Sequence, residues 1–229
     1  MKSDSSVAVR DAATLIVLRD RYDRPSILMG QRGAQAAFMP NKFVFPGGAL
    51  DSHDAFVPLA SQIGSPCYER LADECAKDLQ HALGVAAVRE LWEETGMVLG
   101  SPGSWADEIP ENWRRFAQSG FLPTAAPLQF FFRALTPPGR PRRFDARFFL
   151  VEAHNLCGDL DDFAQASDEL RNLQWVPLQQ ARDYNLPFIT EVVLAEVEGR
   201  IQDPSPPPSV PYFMNTEETS RFLRLRGGL

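Results

Sequence analysis

Residues 89–97 read Arg-Glu-Leu-Trp-Glu-Glu-Thr-Gly-Met, with three carboxylates inside five consecutive positions. Glu90, Glu93 and Glu94 stand at i, i+3 and i+4, so on a helix they share one face. Left alone, like charges at that spacing repel by roughly a few tenths of a kcal/mol per pair. A hard divalent cation reverses the sign, because Mg2+ and Mn2+ favour clustered carboxylate oxygens. Leu91 and Met97 are spaced to face a core, and Gly96 is a helix stop. By itself such a run is more often a solvated helix end. Upstream, residues 43–48 read Phe-Val-Phe-Pro-Gly-Gly and are followed by Ala49, Leu50 and Asp51. Paired glycines let the backbone turn sharply and approach a ligand, and they leave carbonyls free as oxygen ligands. An apolar strand, a glycine turn and a carboxylate helix outline a phosphate and metal site.

With Gly48, the run Arg89-Glu90-Leu91-x-Glu93-Glu94-x-Gly96-Met97 resembles the Nudix box, G-x5-E-x7-R-E-U-x-E-E-x-G-U with U apolar. The second half matches at every specified position. In the first half, Asp54 stands where the pattern has Glu, and the arginine due at position 62 arrives at 89, 27 residues late. One subgroup of the family, resembling a mammalian peroxisomal coenzyme A diphosphatase, carries a long insertion at this point of the box. The segments Phe38-Met39-Pro40, Gly47-Gly48-Ala49-Leu50-Asp51 and Arg142-Arg143-Phe144-Asp145 are similar to that subgroup as well, and the likeness runs over residues 12–185. The segment 28–32, Leu-Met-Gly-Gln-Arg, does not cleanly carry the shorter motif of the other coenzyme A-cleaving group.

The resemblance implies an α/β protein, a Nudix-type α/β/α sandwich with a mixed central sheet and, at about 55–81, a helical insertion inside the box. It implies hydrolysis, by water attack on phosphorus, of a pyrophosphate bond in a nucleoside diphosphate linked to another moiety. Coenzyme A or an acyl-CoA is the favoured substrate; NDP-sugars, ADP-ribose and dinucleotides are alternatives. A nucleotide-sensing module without catalysis is an alternative of another class, which retention of Glu90, Glu93 and Glu94 disfavours. Under the resemblance Glu90 and Glu94 are Mg2+ or Mn2+ ligands, Glu93 is a third or bridging ligand and part of the catalytic set, and the Gly48 carbonyl completes the shell. Arg89 would hold the box carboxylates in place. Asp54 takes the place of the first box glutamate, or serves only as a helix N-cap, and Asp51 competes for the role. A general base is expected from a downstream loop: Glu169 is the candidate, with Asp168 and Glu152 as fallbacks. Arg142 and Arg143, flanked by Arg140 and Arg147, form a local basic patch that would clamp phosphates with Gly47, or are simply solvated.

Composition narrows the classes. The chain has 229 residues, 44% hydrophobic, which suits one domain with a sizeable core. A net charge of −7 argues against coating nucleic acid, which needs a basic face. Three cysteines, Cys67, Cys75 and Cys157, make no CxxC, so neither a disulfide framework nor a zinc site is indicated. His53, His81 and His154 lack ligand spacing. No apolar run reaches membrane-spanning length, the N-terminus lacks a signal-peptide core, and the final Arg-Gly-Gly-Leu is not a peroxisomal signal. A reduced cytoplasmic setting and a small-molecule nucleotide partner, with no membrane or nucleic acid, are expected; the family likeness allows a homodimer.

The elements that must position these residues follow from period. Residues 12–18 and 26–31 read as neighbouring strands, with 43–45 a third. Apolar Leu71, Cys75, Leu79 and Leu83 recur near helical spacing, predicting a helix over 66–83 that Gly84 separates from the box helix, 85–95. A short amphipathic helix falls within 105–120. Strands 128–135 and 144–152 form a hairpin around Pro137-Pro138-Gly139, and their phenylalanines read as sheet core. Residues 174–178 are the last strand, 179–184 and 188–198 are helical, and 204–211 is a polyproline II linker leading into a tail to 229.

Overall fold

The computed structural model describes residues 7–75, 77–105, 108–216 and 218–227. Residues 1–6 and 228–229, which belong to the termini read above for targeting signals, lie outside the described residues. Among the described residues eleven strands and four α-helices follow one another: β1 Val9–Arg19, β2 Ser26–Arg32, β3 Phe43–Val44, β4 Gly47–Ala49, α1 Cys67–Ala72, α2 Gln80–Thr95, β5 Gly100–Pro102, α3 Arg114–Gln118, β6 Phe121–Pro123, β7 Gln129–Leu135, β8 Arg143–Glu152, β9 Leu170–Pro177, α4 Phe188–Gly199, β10 Val210–Asn215 and β11 Ser220–Leu225. Nine strands make one mixed sheet in the order β11-β10-β7-β8-β1-β2-β3, with β4 also on β1 and β9 also on β2. β5 and β6 form a separate pair.

β1 runs parallel to β8 and antiparallel to β2 and β4, and it is buried on both faces. That two-sided burial explains its nearly continuous apolar run. Its side chains alternate between two cores. Ala13, Leu15 and Val17 pack on the face covered by α2, with Val85, Val88 and Leu91. Ile16 and Leu18 pack on the other face, with Val193, Leu194 and Val197 of α4. The result is the α/β/α layering expected above. Phe130 and Phe149 fill the first core, Phe132 and Phe148 the second, as the hairpin phenylalanines predicted.

Four local expectations are corrected. Gly84 does not interrupt the helices: it lies inside α2, buried, where an added Cβ would stand 3.1 Å from Ala125 Cβ. Its role is close packing. The insertion is less helical than its spacing predicts, with only the six-residue α1 regular in 55–79. Arg133 of β7 takes the carbonyls of Asp73 and Glu74 at 2.8 and 3.1 Å, and Glu74 turns to φ 53°, so the helix cannot run on. The strand expected at 174–178 begins earlier, at Leu170, and is not the last. The proline-rich 204–209 leads into the β10–β11 hairpin, which extends the sheet beyond β7. Buried Arg70 of α1 clasps this tail, donating to the carbonyls of Pro207, Pro208 and Arg226.

In 105–120 a 3-10 turn, Glu111–Trp113, continues into α3, with Trp113 and Phe116 buried; Ala106 and Asp107 of that stretch lie outside the described residues. Cys67 is a buried core residue. Among the described residues no helix is long and apolar enough to cross a membrane.

Candidate active site

α2 carries the box residues. It ends at Gly96, whose φ of 74° is available to glycine at little cost and whose N–H closes on Trp92 O. The helix lies over β1 and β4, and that contact brings the glycines to the carboxylates. Gly47 and Gly48 are not a free turn as the sequence suggested; they pair with Thr14 and Ala13 of β1 as part of β4. At Gly47, φ is 155° and an added Cβ would stand 2.5 Å from Ala13 O, so no side chain fits. At Gly48 an added Cβ would fall on the Glu90 carboxylate itself. The bare backbone of Gly48 is what lets that carboxylate lie against β4.

Arg89 organises the cluster. Nε and Nη2 form a two-pronged pair with Asp54 at 2.9 and 3.0 Å, while Nη1 donates to Glu90 at 2.8 Å and to Glu93 at 3.0 Å. A further Nη2 bond reaches Ala49 O at 3.0 Å. Asp54 is 1% exposed, and its second oxygen also accepts the Asp51 N–H at 2.7 Å. Asp54, not Asp51, is therefore the acid that pairs with Arg89. No helix begins there, and Asp51 itself bonds Ser52 and His53 at the surface. The insertion leaves the cluster at Asp54 and returns in α2, so the two halves of the box meet despite their separation in sequence.

The carboxylates differ sharply in environment. Glu94 is 1% exposed; Oε2 accepts the Gly47 N–H at 2.7 Å, while Oε1 is buried with no partner. Burial first, then the charge of Glu90, holds its pKa well above the usual carboxylate range, with the Gly47 N–H opposing. Burial likewise lifts Glu90 to about 7, partly offset by Arg89. Glu93, with its side chain 36% exposed, is raised too, again by burial against the pull of Arg89. The Arg89 cation is strengthened in turn: burial works against it, but the Asp54 hydrogen bonds and the Glu90 and Asp54 charges prevail. A buried acid oxygen with no partner, beside a second carboxylate that desolvation disfavours as an anion, is a place where a hard cation would relieve both costs. The donor set of Glu90, Glu94 and the adjoining Gly48 backbone is all oxygen, which suits Mg2+ or Mn2+. Among the described residues, no three acidic, histidine or cysteine side chains stand together as a finished coordination sphere.

The downstream loop delivers Glu169 to the same neighbourhood. Ser167 N–H bonds Glu93 O at 2.9 Å, and Gly96 has room for no side chain against Gln165. Glu169 acts electrostatically on both Glu90 and Glu94. The fallback Asp168 is its exposed neighbour, whereas Glu152 is remote, bound by buried Arg21. Arg32, which the sequence gave no role, donates from Nη2 to Glu169 at 3.1 Å and bears on Glu94. Its position at the end of β2, just before Gly33, was the only signal. The arginine patch is not brought to this cluster as a unit. Arg143 is buried, donating to Thr136 O at 3.2 Å and to Asn215 O at 3.4 Å. Arg147 is buried against Asp11 and Asp145, while Arg140 and Arg142 are exposed in the hairpin turn. His53 and His154 are exposed, and half-buried His81 bonds Gln62 and Val57 O.

No family model matches the chain. It is 30% identical over 186 residues to nudix hydrolase 7 of Caenorhabditis elegans, covering 76% of this chain and 53% of that protein. It is 28% identical over 178 residues to the acyl-coenzyme A diphosphatase NUDT19 of Gallus gallus, covering 54% of this chain and 47% of that protein. The chain thus spans about half the length of the curated relatives it matches. Among solved structures, a NUDIX hydrolase from Alicyclobacillus acidocaldarius superimposes with a TM-score of 0.62 at 25% identity, over 88% of this chain and 99% of that one.

Proposed function

Because the chain belongs to the Nudix hydrolase family, we propose that it hydrolyses the pyrophosphate linkage of a nucleoside diphosphate joined to a second moiety. The observation that carries this is the Asp54–Arg89–Glu90/Glu93 network beside the orphaned Glu94 oxygen. Glu90 and Glu94 would hold a divalent cation, with Glu93 and the Gly48 carbonyl as further oxygens. A bound cation supplies neutralisation of the charge that develops on the phosphoryl oxygens.

Arg89 acts through the carboxylates: five hydrogen bonds fix its plane, and with it the aim of Glu90 and Glu93. The half-exposed Glu169 carboxylate is the acceptor for the proton of the attacking water. Arg32 holds Glu169 from the other side and, with Nε buried and unpaired, retains an N–H for a phosphoryl oxygen. Arg142, exposed in its turn, would contact substrate only at the margin.

Coenzyme A or an acyl-CoA is the substrate we favour. The support is the box interrupted after Asp54 and the likeness to a relative named for acyl-coenzyme A diphosphatase activity. Incubation with Mg2+ or Mn2+ and coenzyme A, ADP-ribose, NADH or an NDP-sugar, with products resolved by chromatography, tests the reading. Release of two phosphomonoesters from coenzyme A supports it. Cleavage of only the others moves the substrate, and cleavage of none removes the enzyme assignment.

A further inference from the structure

Beside the box carboxylates a cleft of about 450 Å3 opens between the segment after β2 and the start of β9, with Arg32, Gly33, Asp168, Glu169 and Arg171 among its walls. The sheet is irregular at this point. β9 pairs with β2 as Met29↔Gln174 and Gln31↔Arg171, so Asn172 and Leu173 face Gly30 alone. Gly30 cannot be replaced easily: an added Cβ would stand 2.8 Å from Leu170 Cβ and 3.0 Å from Leu173 Cδ2. Asn172 takes a φ of 51°, a conformation that costs energy in a residue with a side chain, and its amide is tied to Gln31 Oε1 at 3.0 Å. A bulge bends its strand and re-aims the neighbouring side chains. Here the neighbour is Arg171, one of the residues that line the cleft.

The charges of the cleft are unevenly matched. Glu169 is paired with Arg32, whose Nε is nonetheless buried with no acceptor. The Arg171 side chain is exposed and makes neither an ion pair nor a hydrogen bond among the described residues, exposed Asp168 included. An exposed guanidinium with no side-chain partner, on the wall of a cleft that also holds Arg32, suits a phosphate dianion. The scissile diphosphate is accounted for at the box, so the phosphate for Arg171 is another one. Resting on the pyrophosphatase reading, we propose that Arg171 binds a phosphomonoester carried on the ribose of the substrate. The substrate class is then a nucleoside diphosphate conjugate with a third phosphate.

The test compares coenzyme A with dephospho-coenzyme A, and NADPH with NADH, in wild type and R171Q. We expect wild type to prefer the phosphorylated member of at least one pair by about 10- to 100-fold in kcat/KM, the range of a charge-assisted phosphate contact. R171Q should collapse that preference toward unity. No preference in either pair, or an equal loss on both members in R171Q, overturns the assignment. If wild type cleaves none of the four, the pyrophosphatase reading has failed separately. Calorimetric binding of adenosine 3′,5′-bisphosphate against adenosine 5′-monophosphate then decides Arg171, since equal affinity in wild type and R171Q overturns its role and loss confined to the bisphosphate upholds it.

Discussion

Arg89 spends all its donors inside the protein, on Asp54, Glu90, Glu93 and Ala49 O. Removing it would strand a carboxylate that is 1% exposed, at Asp54, next to two others. Breaking a buried pair by deleting one partner costs about 3–5 kcal/mol, so R89A should lower the urea midpoint by that equivalent, and a change under about 1 kcal/mol would contradict the network. The glutamates act in the opposite sense. Glu90 titrates near 7 in the fold against an ordinary 4.5, and Glu94 is raised in the same direction. Between those values the folded chain holds more protons than the unfolded one, so its stability falls as pH rises from about 4.5 through 7. The lowered carboxylates Asp51 and Asp203 act only below that window. For Glu90 alone the loss is up to roughly 3 kcal/mol. Thermal melting of the metal-free protein should therefore show a lower Tm at pH 8 than at pH 5.5, with Mg2+ restoring it at pH 8. A Tm that rises with pH in the absence of metal would contradict these environments.

The contact of α2 with β4 sets the site, and one methyl group can probe it. Gly48→Ala puts a Cβ where the Glu90 carboxylate lies. Because a carboxylate can swing while the β4 backbone cannot, we expect activity to fall by about 100-fold or more with Tm changed by only a few degrees. Full activity in this variant would mean that the position of Glu90 against β4 is immaterial. α2 and its Gly96 stop were legible because the carboxylates, the apolar residues and the cap all follow helical rules. The central strands were legible from their apolar runs. The insertion was not: Leu71, Cys75, Leu79 and Leu83 keep helical spacing, but Arg133, distant in sequence, captures the carbonyls of Asp73 and Glu74. β10 was hidden because its proline-rich approach reads as a linker, although Pro211 lies ahead of the β7 pairing that starts at Tyr212. Arg143 read as a phosphate clamp or a solvated cation because only the register of β8 with its neighbours reveals that it is buried. Arg32 passed unnoticed because its meaning depends on Glu169, 137 residues away.

At the scale of the molecule, the interruption of the box is absorbed without loss of the site. Lengthening a connection costs little closure entropy, and this one recovers more by burying Val57, Ile63, Cys67 and Leu71 in the core beneath α2. Its far end is tied to the tail through Arg70 and through Asp73, which accepts the Arg226 and Gly227 N–H groups at 2.8 and 2.6 Å. Insertion, tail and sheet thereby form one body around the cluster, and Asp54 meets Arg89 as if the box were continuous. We propose that this cluster performs metal-dependent pyrophosphate hydrolysis. The most direct test is the rate of phosphomonoester release from coenzyme A with Mg2+ or Mn2+, in wild type and in Glu94→Gln, whose fold is checked by circular dichroism. We predict turnover in wild type that vanishes with a chelator and falls at least about 1,000-fold in Glu94→Gln, as expected for loss of a metal ligand. A Glu94→Gln protein that cleaves at the wild-type rate, or cleavage indifferent to the chelator, would contradict it.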